Sequence, residues 1–373
     1  MLVEGVPVKN QIIIAAISSR AYVQAAVDAG FEVIAIDMFS DVDTQKLAKQ
    51  TLIVDAHNSS FQAQTFYEVL DKTLAQIDCT PVLGMTIGAG FEAEPALLEA
   101  LRSKDTLPIF NTPSVIKSVK NPITFFKFLA SIGAPYPVTQ LSRPANTVGW
   151  LQKQIGGSGG VHIKLALPLD ITEIYPVYYQ QICAGEPYAC LFLADGSHAQ
   201  VIGVHQQWCA PTITQPYRFG GAVSHVELPE EAAEKIECYV QQITRHFGLR
   251  GINSLDFMLH NNDISLLEVN PRLSASLQLY SAKKGNLFTA HVQACLGELK
   301  QWPTVDKTSR AMQIIYANKT ALVPANMEWP DWVCDIPQPD SEIAAGAPIC
   351  TVLAQARTAK LAYKTLMQRA AQL

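Results

Sequence analysis

The sequence predicts a protein of two or three packed units that begins with an α/β domain built on a parallel sheet. The chain has 373 residues, which exceeds the size of one ordinary domain. Hydrophobic residues make up 49% of it and charged residues 16%, a balance too apolar for a disordered chain. In the N-terminal third, short apolar runs rich in β-branched residues alternate with helix-like stretches. Such alternation is typical of a parallel sheet covered by helices on both faces.

The elements of this first domain follow one another at short intervals. A strand is expected over residues 11–17, followed by a helix over residues 20–29. This helix is expected to end at Gly30, because glycine readily takes the backbone conformation that closes a helix. Further strands are predicted over residues 31–36, 51–55 and 81–87, and further helices over residues 62–76 and 94–101.

The turns of this domain do not favour a dinucleotide-binding fold. The first strand-to-helix turn, residues 16–20, holds no glycine, whereas the close approach of a pyrophosphate needs several. A later turn, residues 88–92, holds two glycines just before a predicted helix. Its backbone N–H groups could bind an anion, or the segment is a tight turn without a ligand. The pattern leaves both interpretations open.

Charge and cysteine usage narrow the class of protein. With 28 Lys and Arg against 33 Asp and Glu, the net charge is −5, which does not favour binding to nucleic acid or to an anionic membrane. The apolar runs are shorter than the roughly 20 residues that span a bilayer, and the first residues lack a signal-peptide pattern. The eight cysteines form no Cys-x-x-Cys pair and are expected to be reduced thiols. We therefore expect a cytoplasmic protein.

A lysine and a glycine-rich loop mark the middle of the chain. Lys153 lies shortly before the loop, and an apolar strand resumes after it. The loop consists of Gly156, Gly157, Ser158, Gly159 and Gly160. The backbone N–H groups of glycines can fold over phosphates because no side chain intervenes, and the lysine supplies a positive charge for the phosphates. The segment lacks the Gly-Lys-Ser/Thr of a P-loop, and such a pattern alone is more often a flexible turn.

A second motif places two acids face to face. Two runs of alternating polarity flank residues 260–263, which predicts a β-hairpin centred near residue 262. This centre sets Asp256 opposite Glu268, with Asn270 on the same face. Two opposed carboxylates repel each other unless a cation neutralises them, and hard oxygen ligands of this kind suit Mg²⁺.

The neighbours of these acids predict partial burial and a nearby positive charge. Met258 and Leu266 are expected on the face that carries the acids, and Arg272 follows two residues after Asn270. The alternative is a polar hairpin that faces solvent. It is weakened by the apolar residues on either side of Glu268.

Two further side chains, Arg218 and His162, lie near glycine pairs in the sequence. Arg218 lies beside two glycines and could hold a carboxylate or an acyl-phosphate oxygen, or it belongs to a surface loop as a stacked arginine. His162 follows the glycine loop and is expected to be a strand residue that packs.

These parts occur in the order in which the ATP-grasp superfamily carries them, and the chain resembles that superfamily over most of its length. The resemblance also rests on a lysine-plus-helix segment at residues 120–129 and on a Gly-x-Pro-x-Pro strand entry at residues 133–137. It implies an α/β and α+β protein with an N-terminal parallel-sheet (pre-ATP-grasp) domain, a two-subdomain ATP-grasp fold and a small β-rich C-terminal extension. The implied boundaries are 1–112, 113–305 and 306–373, the last with a terminal helix.

The resemblance also implies roles for individual residues. Lys120, Lys153 and the glycine loop would hold the phosphates of ATP, and Arg272 would stabilise charge on the transferring group. The implied metal ligands are Asp256, Glu268 and Asn270. The adenine hinge maps to Gln180, Gln181 and Ile182, and the ribose-binding acid to Glu186. The hinge departs from the family, which commonly has an acid where this chain has two glutamines.

The implied activity is that of an ATP-dependent carboxylate–amine ligase. Such an enzyme forms an acyl phosphate, joins it to an amine, and releases ADP and phosphate, with one or two Mg²⁺, or Mn²⁺, as cofactor. The substrates would be a small carboxylate and a small amine, the assembly a homodimer, and one candidate setting is cofactor biosynthesis. The C-terminal tail favours a biotin-carboxylase-like, bicarbonate-activating alternative, although the chain has no Met-Lys-Met biotin attachment site. A second alternative is a non-catalytic nucleotide-binding module.

Overall fold

A computed structural model shows how these segments are arranged. It describes residues 11–57, 60–76, 82–94, 97–99, 107–168, 176–280, 286–301 and 308–373. The helices are α1 (Arg20–Asp28), α2 (Val42–Leu47), α3 (Ala63–Gln76), α4 (Pro113–Lys120), α5 (Pro122–Ser131), α6 (Glu230–Phe247), α7 (Asn286–Cys295) and α8 (Ala359–Ala370), with a 3₁₀ helix over Ala275–Leu279. The first ten strands are β1 (Gln11–Ala15), β2 (Glu32–Asp37), β3 (Gln50–Ile53), β4 (Ala56–His57), β5 (Ser60–Phe61), β6 (Val82–Ile87), β7 (Thr139–Gln140), β8 (Trp150–Gln154), β9 (Ile163–Leu165) and β10 (Val177–Gln181). The next ten are β11 (Glu186–Asp195), β12 (Ala199–Cys209), β13 (Phe219–Ser224), β14 (Arg250–His260), β15 (Asp263–Asn270), β16 (Ser309–Tyr316), β17 (Ala321–Leu322), β18 (Val333–Cys334), β19 (Glu342–Ile343) and β20 (Pro348–Ala356).

The N-terminal sheet confirms the predicted parallel arrangement. Its strand order is β3-β2-β1-β6, and neighbouring strands run parallel. Ile12 and Ile14 of β1 pack with α1 on one face, while Ile13 packs with Phe66 of α3 on the other. Gly30, with φ of +89°, follows α1 as predicted. The helix predicted over 94–101 lies largely outside the described residues, of which 97–99 are helical.

Two antiparallel sheets follow the parallel one. The smaller has the order β7-β10-β8-β9 and carries the glycine loop between β8 and β9, as predicted. The larger has the order β15-β14-β11-β12-β13-β16-β20-β18. Its last three strands come from the C-terminal region, so this region continues the large sheet, and α8 packs against β16 and β20.

The hairpin β14–β15 reaches the predicted pairing through a β-bulge. Its two-residue turn, Asn261-Asn262, has positive φ values of 56° and 124°, and the ladder shifts register between Asp256 and the next residue. Beyond the shift, Asp256 pairs with Glu268 as predicted. The expectation for Leu266 is wrong: it pairs with Phe257, so it points to the opposite face and into the apolar core. The extra residue of the bulge causes this inversion, because strand side chains alternate between faces.

Two predictions about composition can be compared with the described residues. Seven of the eight cysteines lie there, and all seven are free thiols; Cys79 lies outside the described residues. In the described part of the chain, no helix combines the length and hydrophobicity needed to cross a membrane.

Candidate active site

The hairpin β14–β15 carries the centre of the site. Asn270 donates a hydrogen bond from Nδ2 to Asp256 Oδ2 at 3.1 Å. Lys120 donates from Nζ to Glu268 Oε2 at 2.8 Å and to Asn270 Oδ1 at 3.0 Å. Lys120 is fixed here because α4 ends with it: Asn121 accepts N–H groups of the next helix and starts α5. The predicted acids and the predicted lysine therefore meet.

The charges of this cluster act on each other. Burial and the neighbouring Glu268 raise the pKa of Asp256 to about 7. Burial alone would also raise the pKa of Glu268, but Lys120 and Lys153 outweigh it and hold that pKa at about 2. Glu268 is therefore ionised beside the lysines, whereas Asp256 has a pKa near 7. An added cation would favour the ionised form of both acids.

The donor set fits a divalent cation bound together with phosphates. Asp256, Glu268 and Asn270 offer hard oxygen atoms, and the ammonium of Lys120 already lies against two of these residues, so the position favours positive charge. Within the described ranges, no group of three or more His, Cys, Asp or Glu side chains could hold a metal alone. Mg²⁺ commonly takes one or two carboxylates and completes its shell with water and substrate phosphates, which matches this set.

Lys153 enters the same site from the smaller sheet. It is buried on β8 and donates from Nζ to Gln180 Oε1 at 2.7 Å. Gln180 in turn donates to Thr139 Oγ1 at 3.1 Å. Burial lowers the pKa of Lys153, an effect that Glu268 and Asp256 partly offset. The acids of the large sheet and the lysine of the small sheet are therefore close enough to interact electrostatically.

The other predicted nucleotide contacts lie around the end of β10. The Gln181 N–H donates to the Val138 carbonyl at 2.9 Å, and the Ile182 N–H to the Gly149 carbonyl at 2.8 Å. The side chains of Gln181 and Ile182 are exposed, as is Glu186 at the start of β11. The partnership of Gln180 with Lys153 was not predicted, because glutamine carries no charge pattern that marks it in sequence.

The glycine loop is in contact with segments from two other parts of the fold. A side chain at Gly156 would meet the Glu92 carbonyl oxygen at 2.5 Å, and one at Gly160 would clash with the Tyr217 carbonyl. The Phe219 N–H donates to the Gly159 carbonyl at 3.0 Å. Only residues without a Cβ at these two contacts allow the backbones to approach so closely.

His162 packs over the loop. A side chain at Gly157 would clash with its ring, and its Nδ1 lies 3.3 Å from the Ser158 carbonyl oxygen. Burial lowers the pKa of His162 to about 4, against the opposing effect of Glu268. The expectation of a strand position is wrong, since His162 lies in the turn before β9, where the chain closes the glycine loop.

Arg272 is held by an acid from the N-terminal domain. Its Nε donates to Glu92 Oε1 at 2.7 Å, and its Nη1 donates to the Leu273 carbonyl at 3.1 Å. The Gly90 N–H donates to Glu92 Oε2 at 3.3 Å. The anion bound by the glycine turn at 88–92 is therefore the carboxylate of Glu92, which belongs to the turn itself. The sequence leaves open whether this turn binds an anion or is a tight turn, and it does not predict the pairing of Glu92 with Arg272, 180 residues away.

Arg218 is buried, unlike the surface arginine of the alternative interpretation. It donates from Nε to the Ala210 carbonyl at 3.0 Å and from Nη1 to the Gly346 carbonyl at 2.9 Å. Its guanidinium lies 3.5 Å from the centre of the Tyr316 ring. These contacts fix the segment that meets Gly160, and a catalytic role for Arg218 stays a prediction.

Opposed acids, two buried lysines and a glycine loop thus lie where a small and a large antiparallel sheet meet, behind a parallel-sheet domain. This combination is typical of a nucleotide-binding fold in which two sheets face a common site. A family model described as an ATP-grasp domain matches residues 119–276, so this segment of the chain is an ATP-grasp domain.

Known proteins resemble the chain beyond this domain. An uncharacterized protein of Methanocaldococcus jannaschii is 22% identical over 91% of this chain and 86% of its own length. The biotin carboxylase domain of Hydrogenobacter thermophilus 2-oxoglutarate carboxylase, solved with MgADP and bicarbonate, has a TM-score of 0.72 at 13% identity, covering 97% of this chain and 89% of that one. L-amino acid ligase from Bacillus licheniformis has a TM-score of 0.68 at 12% identity, covering 96% of each chain. The two structures establish the likeness in fold.

Proposed function

We propose that the chain is an ATP-dependent carboxylate–amine ligase. It transfers the γ-phosphoryl group of ATP to a substrate carboxylate, and an amine then displaces phosphate to form an amide. The observation that carries this proposal is the pair of opposed carboxylates, Asp256 and Glu268, set beside Lys120 in one partly buried cluster. The likeness in fold to an L-amino acid ligase supports it.

Asp256, Glu268 and Asn270 are proposed to hold one or two Mg²⁺. The ion, when bound, neutralises charge on the β- and γ-phosphates. Lys120, which contacts Glu268 in this structure, would then be available to phosphate oxygens, because a bound cation would balance the acids. Asn270 keeps Asp256 oriented through its amide donor.

Lys153 and the glycine loop are proposed to enclose the phosphates. Gln180 aims the ammonium of Lys153, and the loop brings backbone N–H groups over the nucleotide. Closure by the loop excludes water and so protects an acyl phosphate from hydrolysis. Adenine is proposed to bind against Gln180, Gln181 and Ile182, and ribose at Glu186.

Arg272 is proposed to stabilise the negative charge of the transferring group. Only two of its five N–H donors are used within the described residues, which leaves the others for an oxyanion. Arg218 is proposed to act more remotely, on an acyl-phosphate oxygen or through the segment that meets the glycine loop.

A bicarbonate-activating carboxylase is the second candidate. The fold resembles that of a biotin carboxylase domain, and the C-terminal strands β16, β20 and β18 extend the large sheet. The ligase requires a carboxylate and an amine, whereas the carboxylase requires bicarbonate. The two candidates can therefore be distinguished by the substrates on which phosphate release depends.

The test is release of phosphate from ATP across a panel of amino acids and amines, with bicarbonate included. Stimulation that needs both a carboxylate and an amine supports the ligase, whereas stimulation by bicarbonate alone supports the carboxylase. If ATP binds and no panel member stimulates release, the non-catalytic module is favoured.

Glu268→Gln is the matched variant for this assay. We expect at least about a hundredfold loss of turnover with an unchanged fold, because the site loses a charged oxygen ligand. Asp263→Asn, at an exposed position of the same hairpin, is the control and should retain the parent rate. Near-normal turnover of Glu268→Gln at ordinary Mg²⁺ concentrations would contradict the metal assignment.

A further inference from the structure

A buried ion pair joins the N-terminal domain to the candidate active site. Glu92, 4% exposed, lies in the turn after β6, and Arg272, 9% exposed, follows β15. Their side chains meet at 2.7 Å. Removing two charges from water costs several kcal/mol, so a buried pair is weak evidence for a role in stability alone.

The two contacts of Arg272 fix the plane of its guanidinium group. Glu92 holds the Nε edge, and the Leu273 carbonyl holds one Nη1 proton. A planar group bound at two points cannot rotate about its long axis. The remaining Nη1 and Nη2 protons form the edge that suits a carboxylate or a phosphoryl group, because their two N–H bonds run parallel. Arg272 also lies close enough to Asp256 for the charge of that acid to act on it.

The backbone that carries Glu92 is held in place by a cluster of buried aromatic rings. The preceding residue, Phe91, is fully buried, and its ring lies 5.2 Å from the rings of both Phe61 and Phe66. Gly90 has φ of +119°, and a side chain there would meet Phe61 at 2.8 Å. The backbone of the turn is therefore fixed by aromatic packing, and Glu92 can transmit this fixed position to Arg272.

We propose that Glu92 is a positioning residue, which sets Arg272 so that its free edge faces the transferring group. This inference rests on the proposed function, in which Arg272 stabilises that group. An arginine without its partner would sample several orientations, and misplacement of a catalytic group by about 1 Å can cost about a hundredfold in rate.

The kinetic test compares Glu92→Ala, Glu92→Gln and Arg272→Ala. Glu92→Ala should lower kcat about a hundredfold with little change in the apparent Kd for Mg-ATP. Glu92→Gln, which keeps an oxygen acceptor for Nε, should lose less than Glu92→Ala. Glu94→Gln, at an exposed position of the same turn, is the control and should keep the parent rate. Because Glu92 acts through Arg272, the double variant Glu92→Ala/Arg272→Ala should be no slower than Arg272→Ala alone.

A second measurement does not depend on turnover. In protein labelled with ¹⁵N-arginine, the Nε–H resonance absent from Arg272→Lys identifies Arg272. This proton should exchange slowly in the parent and in Glu92→Gln, and rapidly in Glu92→Ala. Equal exchange in all three would overturn the proposal, as would full activity of Glu92→Ala or multiplicative losses in the double variant. If the parent turns over no substrate, the proposed function fails while the exchange data still test Glu92.

Discussion

Lys120 lies where the opposed acids of the site would otherwise repel each other. Its ammonium contacts Glu268 and Asn270, two of the three proposed metal ligands. A lysine in this position neutralises the site without a metal and competes with one. The metal and the nucleotide should therefore bind together, because the phosphates give Lys120 another partner when the cation takes its place.

We expect Lys120→Met to bind Mn²⁺ without nucleotide at least about tenfold more tightly than the parent, since two acids are left without their counter-charge. The same variant should bind Mg-ATP more weakly. Electron paramagnetic resonance of Mn²⁺ measures the first effect. Lys117→Met, at an exposed position of the same helix, controls for loss of a lysine. Equal Mn²⁺ affinity in parent and Lys120→Met would show that the lysine does not occupy the metal position.

Substitution of Lys153 tests the proposed phosphate site independently of the proposed metal site. Lys153→Met should raise the apparent Kd for Mg-ATP at least about tenfold, since a buried lysine in a closed cleft acts on phosphates far more strongly than a surface charge does. The Tm without nucleotide should change little, while the increase in Tm on adding Mg-ATP should shrink. Lys127→Met, on the exposed face of α5, is the control. An unchanged increase in Tm for Lys153→Met would show that this lysine does not contact the phosphates.

Two glycines of the loop, Gly156 and Gly160, lie against the backbone of other parts of the chain. Gly156 and Gly159 both have positive φ, at +76° and +66°, so alanine strains both positions. Only Gly156 lies against the backbone of Glu92 and Ala93; nothing lies within 4 Å of a side chain at Gly159. Comparison of the variants Gly156→Ala and Gly159→Ala therefore separates the effect of backbone strain from the effect of losing the loop's contact with the N-terminal domain.

We expect residues 156–160 to exchange amide hydrogens quickly without nucleotide and slowly with Mg-ATP, because ordering four glycines costs entropy that a ligand offsets. Gly156→Ala should lose most of the nucleotide-induced protection, whereas Gly159→Ala should keep it. Hydrogen exchange followed by mass spectrometry measures both. Equal protection of the parent with and without nucleotide would contradict closure of the loop.

The elements also show which contacts a sequence reveals. The pairing of Asp256 with Glu268 was predictable because the hairpin is local and its turn is marked by asparagines. The side on which Leu266 lies was not, because a bulge has no strong sequence signal and inverts every residue up to the turn. The contact between Glu92 and Arg272 spans 180 positions, and no periodicity encodes such a distance.

At the scale of the whole molecule, the first and last parts of the chain are tied together. Arg20 at the start of α1 contacts Asp335 at 3.0 Å and Gln278 Oε1 at 2.6 Å. Asp43 accepts the N–H groups of Asp335 and Ile336, both at 2.8 Å. The C-terminal strands also lengthen the large sheet, so the predicted small β-rich C-terminal extension is part of that sheet. The first and last parts of the chain therefore share polar contacts.

His291 is a buried polar link between the parallel sheet and the large sheet. Its Nδ1 accepts the Ile252 N–H at 2.9 Å, while Nε2 lies 2.9 Å from Thr86 Oγ1 and 3.2 Å from the Ile109 carbonyl oxygen. The ring is therefore neutral with its proton on Nε2, and burial lowers its pKa to about 4. His205, buried beside Tyr280, has its pKa lowered to about 3 by burial.

These pKa values predict that the stabilisation contributed by His291 and His205 is lost as the pH falls below neutrality. Between the unfolded value of about 6.5 and the folded values, the unfolded chain binds protons that the folded chain does not. The stabilisation is therefore complete above about pH 6.5 and is lost as the pH falls toward 4, on the order of 3 kcal/mol for each histidine. Urea unfolding at pH 7.5, 6 and 5 measures the free energy of unfolding. His291→Gln should flatten this pH dependence by about one proton, with His260→Gln, at an exposed position, as the control. The same pH dependence in His291→Gln and in the parent would contradict a neutral, buried His291.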